Sequence, residues 1–108
     1  MRRIVITGSG IVSPLGCGTS LVWRRLLAGR SGIRRLADNL VRDVAAKIAG
    51  VVPTPTEDPE GGFDPGRVVS AKDQMRMDRF IQFAIAAADE AITQSGWVPI
   101  SEADRADR

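Results

Sequence analysis

The chain has 108 residues, of which 44% are hydrophobic and 26% charged, a composition ordinary for one globular domain. No apolar stretch approaches the roughly twenty residues that span a bilayer. The apolar run near the N-terminus, which glycine interrupts, is too short for a signal peptide. We therefore expect a cytoplasmic protein without membrane association. The one cysteine excludes an internal disulfide framework.

The net charge of +2 is unevenly distributed along the chain. Residues 1–50 carry +7, from nine basic and two acidic residues, and residues 51–108 carry −5, from six basic and eleven acidic residues. Basic patches often indicate nucleic-acid binding. Here the basic residues are scattered, with Trp23 as the only interleaved aromatic. We expect no nucleic-acid partner.

The first sixteen residues are the most informative part of the chain. The β-branched run Ile4–Ile6 predicts a buried interior strand. It breaks at residues 7–10, Thr-Gly-Ser-Gly, resumes at residues 11–12, and turns at residues 13–16, Ser-Pro-Leu-Gly. Such an opening suits either a nucleotide-binding enzyme or a protein in which the glycines allow close packing.

The spacing of the glycines argues against a nucleotide. Gly8 and Gly10 fit the first two positions of Gly-x-Gly-x-x-Gly, but Ser13 occupies the third. No Gly-Lys-Ser/Thr follows the turn, and the acidic residue expected about twenty positions later is missing. We therefore interpret these glycines as packing residues and expect no cofactor.

A short helix and a long loop come next. Thr19 or Ser20 can cap the helix, and Gly29 suits a left-handed residue at its end. The apolar stripe of the helix comprises Val22, Trp23, Leu26 and Leu27.

Residues 45–50 predict a short strand. Four prolines and three glycines in residues 53–66 predict a flexible loop without regular structure, within one domain.

The second half predicts two helical segments. Ser70 and Asp73 form a capping box, so a first turn should begin near residue 71. Asp78 can cap the main helix, which then runs to about Ser95 after a break near Met77. The polar positions of that helix are few, and its wide apolar arc predicts a core helix packed on two sides. Those polar positions are Gln82, Asp89, Glu90, Thr93 and Gln94.

Four blocks together resemble a known family. They are residues 1–16, 26–33 (Leu-Leu-Ala-Gly-Arg-Ser-Gly-Ile), 45–50 (Ala-Ala-Lys-Ile-Ala-Gly) and 77–84 (Met-Asp-Arg-Phe-Ile-Gln-Phe-Ala). In this order and spacing they resemble the N-terminus of β-ketoacyl-acyl carrier protein synthases, above all the type II enzymes of bacterial fatty acid synthesis. The resemblance extends to about Trp97. It implies an α/β, partial thiolase-like fold with a first strand, a capping helix and loop, and a long core helix.

The resemblance also implies a reaction. Family members load an acyl chain from a carrier protein onto a cysteine, decarboxylate malonyl-carrier protein and join the two by Claisen condensation, usually as homodimers. Acyl carrier protein is thus the expected partner, with no metal or other cofactor. The alternative is a non-catalytic relative, such as a partner resembling a chain length factor.

The family's catalytic cysteine and two histidines have no counterpart in this sequence, which contains no histidine. Its one cysteine, Cys17, lies in a Gly-Cys-Gly turn with no base nearby and does not resemble the family's nucleophile elbow. We expect residues 1–108 to form the N-terminal portion of a synthase, with no catalytic residue of their own and no activity alone. We also expect the isolated chain to be marginally stable or to associate through its unpaired edge, because Ile4–Ile6 has no neighbouring parallel strand.

Three basic residues are candidates for binding the carrier protein. Lys72, Arg76 and Arg79 are spaced i, i+4 and i+7, so they share one face if the helix is continuous. Related synthases have a basic docking segment just before Met-Asp-x-Phe, although Ala71 and Met75 replace residues that are commonly basic there. The alternative is a solvated face with local pairs to Asp73 and Asp78.

Overall fold

A computed structural model describes residues 1–98 of the chain. It contains both strands and helices, with the strands in two consecutive pairs, which confirms the α/β class in coarse terms. A 3₁₀ helix at Pro65–Arg67 precedes the last two helices. In chain order the elements are β1 (Val12–Ser13), β2 (Gly16–Cys17), α1 (Thr19–Leu27), β3 (Ile33–Arg35), β4 (Ile48–Gly50), α2 (Ala71–Gln74) and α3 (Arg79–Ser95).

The predicted turn after residue 12 closes the first hairpin. β1 and β2 are antiparallel, with Val12 opposite Cys17 and Ser13 opposite Gly16. The Ser13 hydroxyl accepts a hydrogen bond from the Leu15 amide at 3.2 Å and donates one to the Gly16 carbonyl at 3.0 Å. Gly16 has φ of +125°, a conformation that L side chains rarely adopt.

The second hairpin pairs β3 with β4 in antiparallel register, with Arg34 opposite Ala49. β4 falls within the predicted strand at residues 45–50. β3 is not apparent from sequence, since it contains one apolar residue followed by two arginines. A Cβ built at Gly32 would lie 2.8 Å from the Cβ of Pro14, so the turn of the first hairpin lies against the start of the second.

The prediction of a buried strand at Ile4–Ile6 is wrong for the described residues. The segment has no regular secondary structure and no strand partner, and Ile4 and Ile6 are 93% and 92% exposed. No strand within residues 1–98 lies beside it, so its apolar side chains have nothing to pack against. A β-branched run favours extended backbone, but burial requires a neighbouring strand.

Gly8 and Gly10 lie directly against the backbone of α3. A Cβ at Gly8 would overlap the carbonyl oxygen of Ala91, and one at Gly10 would overlap that of Ala87. The interpretation of these glycines as packing residues is therefore confirmed. Their lack of a side chain allows close contact with α3, a contact that the spacing of the glycines did not by itself predict.

The helix boundaries follow most of the predicted signals, although two of the predicted side-chain caps are not formed. Gly29, with φ of +73°, follows the end of α1, and Ser70 caps α2 by accepting a hydrogen bond from the Asp73 amide at 3.3 Å. The predicted break before α3 is present, with Asp78 at the N-cap position but without a side-chain cap bond. The N-cap of α1 is Gly18, so the expected capping by Thr19 or Ser20 is wrong.

The expectation that α3 packs on two sides is also wrong for the described residues. Phe80 is 68% exposed and Ile92 50% exposed, because residues 1–98 cover one side of the helix. The buried residue of α3 is Gln82, which sequence analysis placed among the polar positions. None of the helices described here is long and apolar enough to cross a membrane.

The predicted loop at residues 53–66 is irregular up to Asp64, whereas its last two residues begin the 3₁₀ helix at Pro65–Arg67, so the prediction of no regular structure is wrong there. Contacts with other parts of the chain fix the position of the loop. Phe63 in this loop is one of the four buried hydrophobic residues of the core, which also comprises Val22, Val41 and Val69. The Phe63 amide donates to the Pro53 carbonyl at 2.8 Å, and the Cys17 amide donates to the Gly61 carbonyl at 2.8 Å. The loop is thus part of the packed structure, and its expected flexibility is not supported by these contacts.

We predict that Gly10→Ala destabilises the protein by about 1–3 kcal/mol, because the added methyl group forces the N-terminal segment away from α3. Urea denaturation followed by circular dichroism measures this loss. Gly66→Ala is the control, since the nearest atom to its new methyl group is the movable carboxylate of Asp64. Equal stability of both variants would contradict the close approach at Gly10.

Candidate functional site

The three basic candidates lie at the junction of α2 and α3. Lys72 is in α2, Arg76 is in the break, and Arg79 is the first residue of α3. All three side chains are exposed. Within residues 1–98, none of the three has an ion-pair partner. The alternative of local pairs to Asp73 and Asp78 is therefore not observed.

The helical break removes the regular spacing on which the shared face depended. Because α2 ends at Gln74 and α3 begins at Arg79, the i, i+4 and i+7 positions do not belong to one continuous helix. The condition of a continuous helix, on which a single shared face depended, is therefore not met. The three residues remain a cluster in sequence, carried by two helical segments and the turn between them.

The side chain of Arg79 packs against the aromatic ring of Phe83. Its guanidinium carbon lies 5.2 Å from the centre of the Phe83 ring, a cation–π arrangement. The Phe83 ring meets Phe63 edge-on, with the ring centres 4.9 Å apart. Since Phe63 belongs to the 53–66 loop and is buried, this chain of contacts connects the start of α3 to the core.

The side chains of two glutamines donate hydrogen bonds to backbone carbonyls in and beside the break. The amide nitrogen of Gln82 donates to the carbonyls of Met77 at 3.3 Å and Gln74 at 3.4 Å. The amide nitrogen of Gln74 donates to the Val69 carbonyl at 2.9 Å. Sequence analysis missed the role of Gln82. The available signal was a glutamine four residues after the helix cap, at the edge of a broad apolar arc.

A buried ion pair fastens the 53–66 loop to α1. Arg25 is 6% exposed, and its guanidinium contacts both carboxylate oxygens of Asp58 and donates to the Leu15 carbonyl at 2.7 Å. The hydrogen bond from Arg25 lowers the pKa of Asp58 to about 2, and the pKa of Arg25 is correspondingly raised. Sequence analysis did not identify this pair, since the two residues lie far apart in the chain.

Glu90 of α3 links α3 to both the first hairpin and α1. One carboxylate oxygen accepts a hydrogen bond from the Ile11 amide and the other from the Thr19 amide, each at 3.0 Å. Thr19 is the first residue of α1, so Glu90 supplies the cap that the N-cap glycine cannot. A carboxylate at this position also interacts favourably with the helix dipole.

The thiol of Cys17 is free and half-buried in β2. Burial raises its pKa, and the nearby carboxylates of Glu90 and Asp58 raise it further. The thiolate, which is the nucleophilic form, is therefore disfavoured. Within residues 1–98, no group of three or more histidine, cysteine or acidic side chains is arranged to hold a metal ion.

Comparison with known proteins identifies the family. The family model "Beta-ketoacyl synthase, N-terminal domain" matches residues 1–106. The chain therefore belongs to the β-ketoacyl synthase family, and the resemblance inferred from sequence is confirmed.

Two of the similar proteins carry the same name. The chain is 45% identical to 3-oxoacyl-[acyl-carrier-protein] synthase 2 of Rhizobium meliloti over 97% of this chain and 25% of that protein. It is 39% identical to the enzyme of the same name from Vibrio cholerae, over 88% of this chain and 21% of that protein. The chain thus spans about a quarter or less of the length of these relatives.

A solved structure, the ishigamide ketosynthase/chain length factor, has a similar backbone. The TM-score is 0.70 at 34% sequence identity, with 90% of this chain and 22% of the other chain covered. This similarity agrees with the α/β arrangement described above.

We predict that Asp58→Asn lowers the free energy of unfolding by about 3 kcal/mol at neutral pH, because it leaves the buried Arg25 without its counter-charge. Since the pKa of Asp58 is depressed in the folded state, the stability it contributes is present above about pH 4 and disappears as the pH falls toward about 2. The difference in stability between wild type and Asp58→Asn should therefore shrink over that range.

Urea denaturation at a series of pH values measures this difference. Asp43→Asn removes the same charge from an exposed position with no ion pair among the described residues, and it should change stability little. A constant difference between wild type and Asp58→Asn from pH 7 to pH 2 would contradict the assignment.

Proposed function

We propose that this chain is the N-terminal portion of a 3-oxoacyl-acyl carrier protein synthase, an acyltransferase that elongates fatty acyl chains. The observation that carries the proposal is 45% identity to a synthase of that name across 97% of the chain. The fold proposed for the segment is a partial thiolase-like fold. The whole enzyme is proposed to act in the cytoplasm as a homodimer, with acyl carrier protein as its partner.

The proposed reaction has two stages. A cysteine thiolate of the enzyme attacks the thioester of acyl-carrier protein and takes the acyl group, releasing the carrier thiol. Malonyl-carrier protein then loses CO₂, and the resulting carbanion attacks the acyl-enzyme thioester. The new carbon–carbon bond gives 3-oxoacyl-carrier protein and regenerates the cysteine thiolate.

The present segment contributes to this reaction without supplying its nucleophile. Its sequence has no histidine, and the raised pKa of Cys17 disfavours the thiolate. The segment is proposed to contribute part of the fold and, through Lys72, Arg76 and Arg79, part of the surface that meets the carrier protein. Acidic carrier proteins are attracted to exposed cationic side chains, which mainly accelerate encounter.

A second candidate function is that of a non-catalytic partner. The observation that supports this candidate is the similarity to the solved ketosynthase/chain length factor, which covers 90% of the present chain. An assay of the intact protein with acyl- and malonyl-carrier protein separates the two candidates. Formation of 3-oxoacyl product with release of CO₂ supports the synthase, whereas product that requires a separate ketosynthase supports the partner.

We predict that the purified 108-residue chain forms no condensation product, and that Cys17→Ser leaves the kcat of the intact synthase unchanged. Both results follow from the high pKa of the Cys17 thiol and the lack of a histidine base. Mass spectrometry of the reaction products provides the measurement. An acyl group found on Cys17 after incubation with acyl-carrier protein would refute the assignment.

We further predict that Lys72→Glu/Arg76→Glu raises the KM of the intact synthase for acyl-carrier protein several-fold and leaves kcat near normal. Charge reversal at two exposed positions slows encounter with an acidic partner, and the effect should weaken as salt rises. Activity on a small carrier-free acyl thioester should be retained.

The matched control is Arg30→Glu/Arg42→Glu, which reverses two exposed charges that lie outside the α2–α3 junction in the sequence. This control should leave the KM for acyl-carrier protein near that of wild type. Equal loss of activity on both substrates in the Lys72/Arg76 variant would assign these residues to the fold instead. An unchanged KM for the carrier protein would show that Lys72 and Arg76 do not take part in docking.

A further inference from the structure

The break between α2 and α3 leaves backbone carbonyls without their usual helical donors. In a continuous helix the Met77 carbonyl would accept from the amide of Ile81, four residues later. Here the Ile81 amide donates instead to the Asp78 carbonyl at 3.1 Å. The Gln74 carbonyl accepts from the Met77 amide at a long 3.4 Å, and not from the residue four positions later.

Gln82 donates to both carbonyls from its side chain. Its side-chain amide carries two N–H groups, and its nitrogen lies 3.3 Å from the Met77 carbonyl and 3.4 Å from the Gln74 carbonyl. The residue is 6% exposed, so water cannot easily replace either bond. The side chain of Gln82 therefore has a defined role at this position, because a polar group that loses its donor away from water is destabilising.

The two carbonyls belong to different parts of the junction. Gln74 is the last residue of α2, whereas Met77 lies in the turn that leads into α3. One side chain of α3 therefore holds the end of α2 and the following turn together. Lys72 and Arg76 lie on the α2 side of this contact and Arg79 lies on the α3 side.

We infer that Gln82 is a positioning residue for carrier-protein binding, because it sets the placement of Lys72 and Arg76 relative to Arg79. This inference rests on the proposed function. Arg79 is held separately by its contact with Phe83, which packs on the buried Phe63. Loss of the Gln82 amide therefore frees the α2 side of the basic surface while the α3 side stays fixed to the core.

The test is Gln82→Met in the intact synthase, since methionine has similar length and flexibility but no hydrogen-bond donor. We expect the KM for acyl-carrier protein to rise several-fold, with kcat and the activity on a small acyl thioester near normal. Gln82→Glu keeps the shape of the side chain and also removes the donor at neutral pH, so it should raise this KM at least as much.

A double-mutant cycle shows whether Gln82 acts through the basic residues. Added to Lys72→Glu/Arg76→Glu, the Gln82→Met change should raise the KM little further, because the residues that it positions are already reversed in charge. Gln94→Met is the matched control on the same helix. It removes the bond to the Ser9 amide at 2.7 Å, so it should lower stability without changing the KM for the carrier protein.

The outcomes separate this inference from the proposed function. If Lys72→Glu/Arg76→Glu raises the KM for acyl-carrier protein and Gln82→Met does not, the positioning role is overturned and the docking surface stands. If Gln82→Met impairs both substrates equally, Gln82 supports the fold alone and the inference is again overturned. If the wild-type protein makes no 3-oxoacyl product, the proposed function itself fails.

Discussion

The carboxylate of Glu90 joins three parts of the chain that would otherwise be separate. It accepts hydrogen bonds from the Ile11 amide, just before β1, and from the Thr19 amide at the start of α1, while the residue itself belongs to α3. This geometry requires the N-terminal segment to lie directly on α3, which Gly8 and Gly10 permit because they have no side chain. The first hairpin and α1 are thereby placed relative to the long helix.

Polar contacts have a large share in this structure because its apolar core is small. Four hydrophobic residues are buried among residues 1–98, whereas Ile4, Ile6 and Trp23 are mostly exposed. Small cores supply little stability, so specific contacts between distant segments matter more. The Arg25–Asp58 pair is such a contact, since it holds an irregular loop against α1 and satisfies the Leu15 carbonyl at the same time.

Three exposed basic residues lie at the α2–α3 junction. A continuous helix would have placed its basic residues by helical geometry alone, but the break makes their arrangement depend on the side chain of Gln82 and the ring of Phe83. The segment covers about a quarter of its synthase relatives and matches the N-terminal domain of the family. Its proposed contribution to the enzyme is therefore structural support and recognition of a partner, with the reacting groups supplied elsewhere.

Local signals in the sequence determined the turns, the capping box at Ser70, the break before α3 and the packing role of Gly8 and Gly10, because each depends on a few neighbouring residues. The family also followed from ordered sequence blocks. Only the tertiary structure decided that the Ile4–Ile6 run is uncovered among the described residues and that the polar residues Gln82 and Glu90 make buried or bridging contacts. Burial and long-range hydrogen bonds depend on which segments meet in space, and the spacing of residues along one segment does not contain that information.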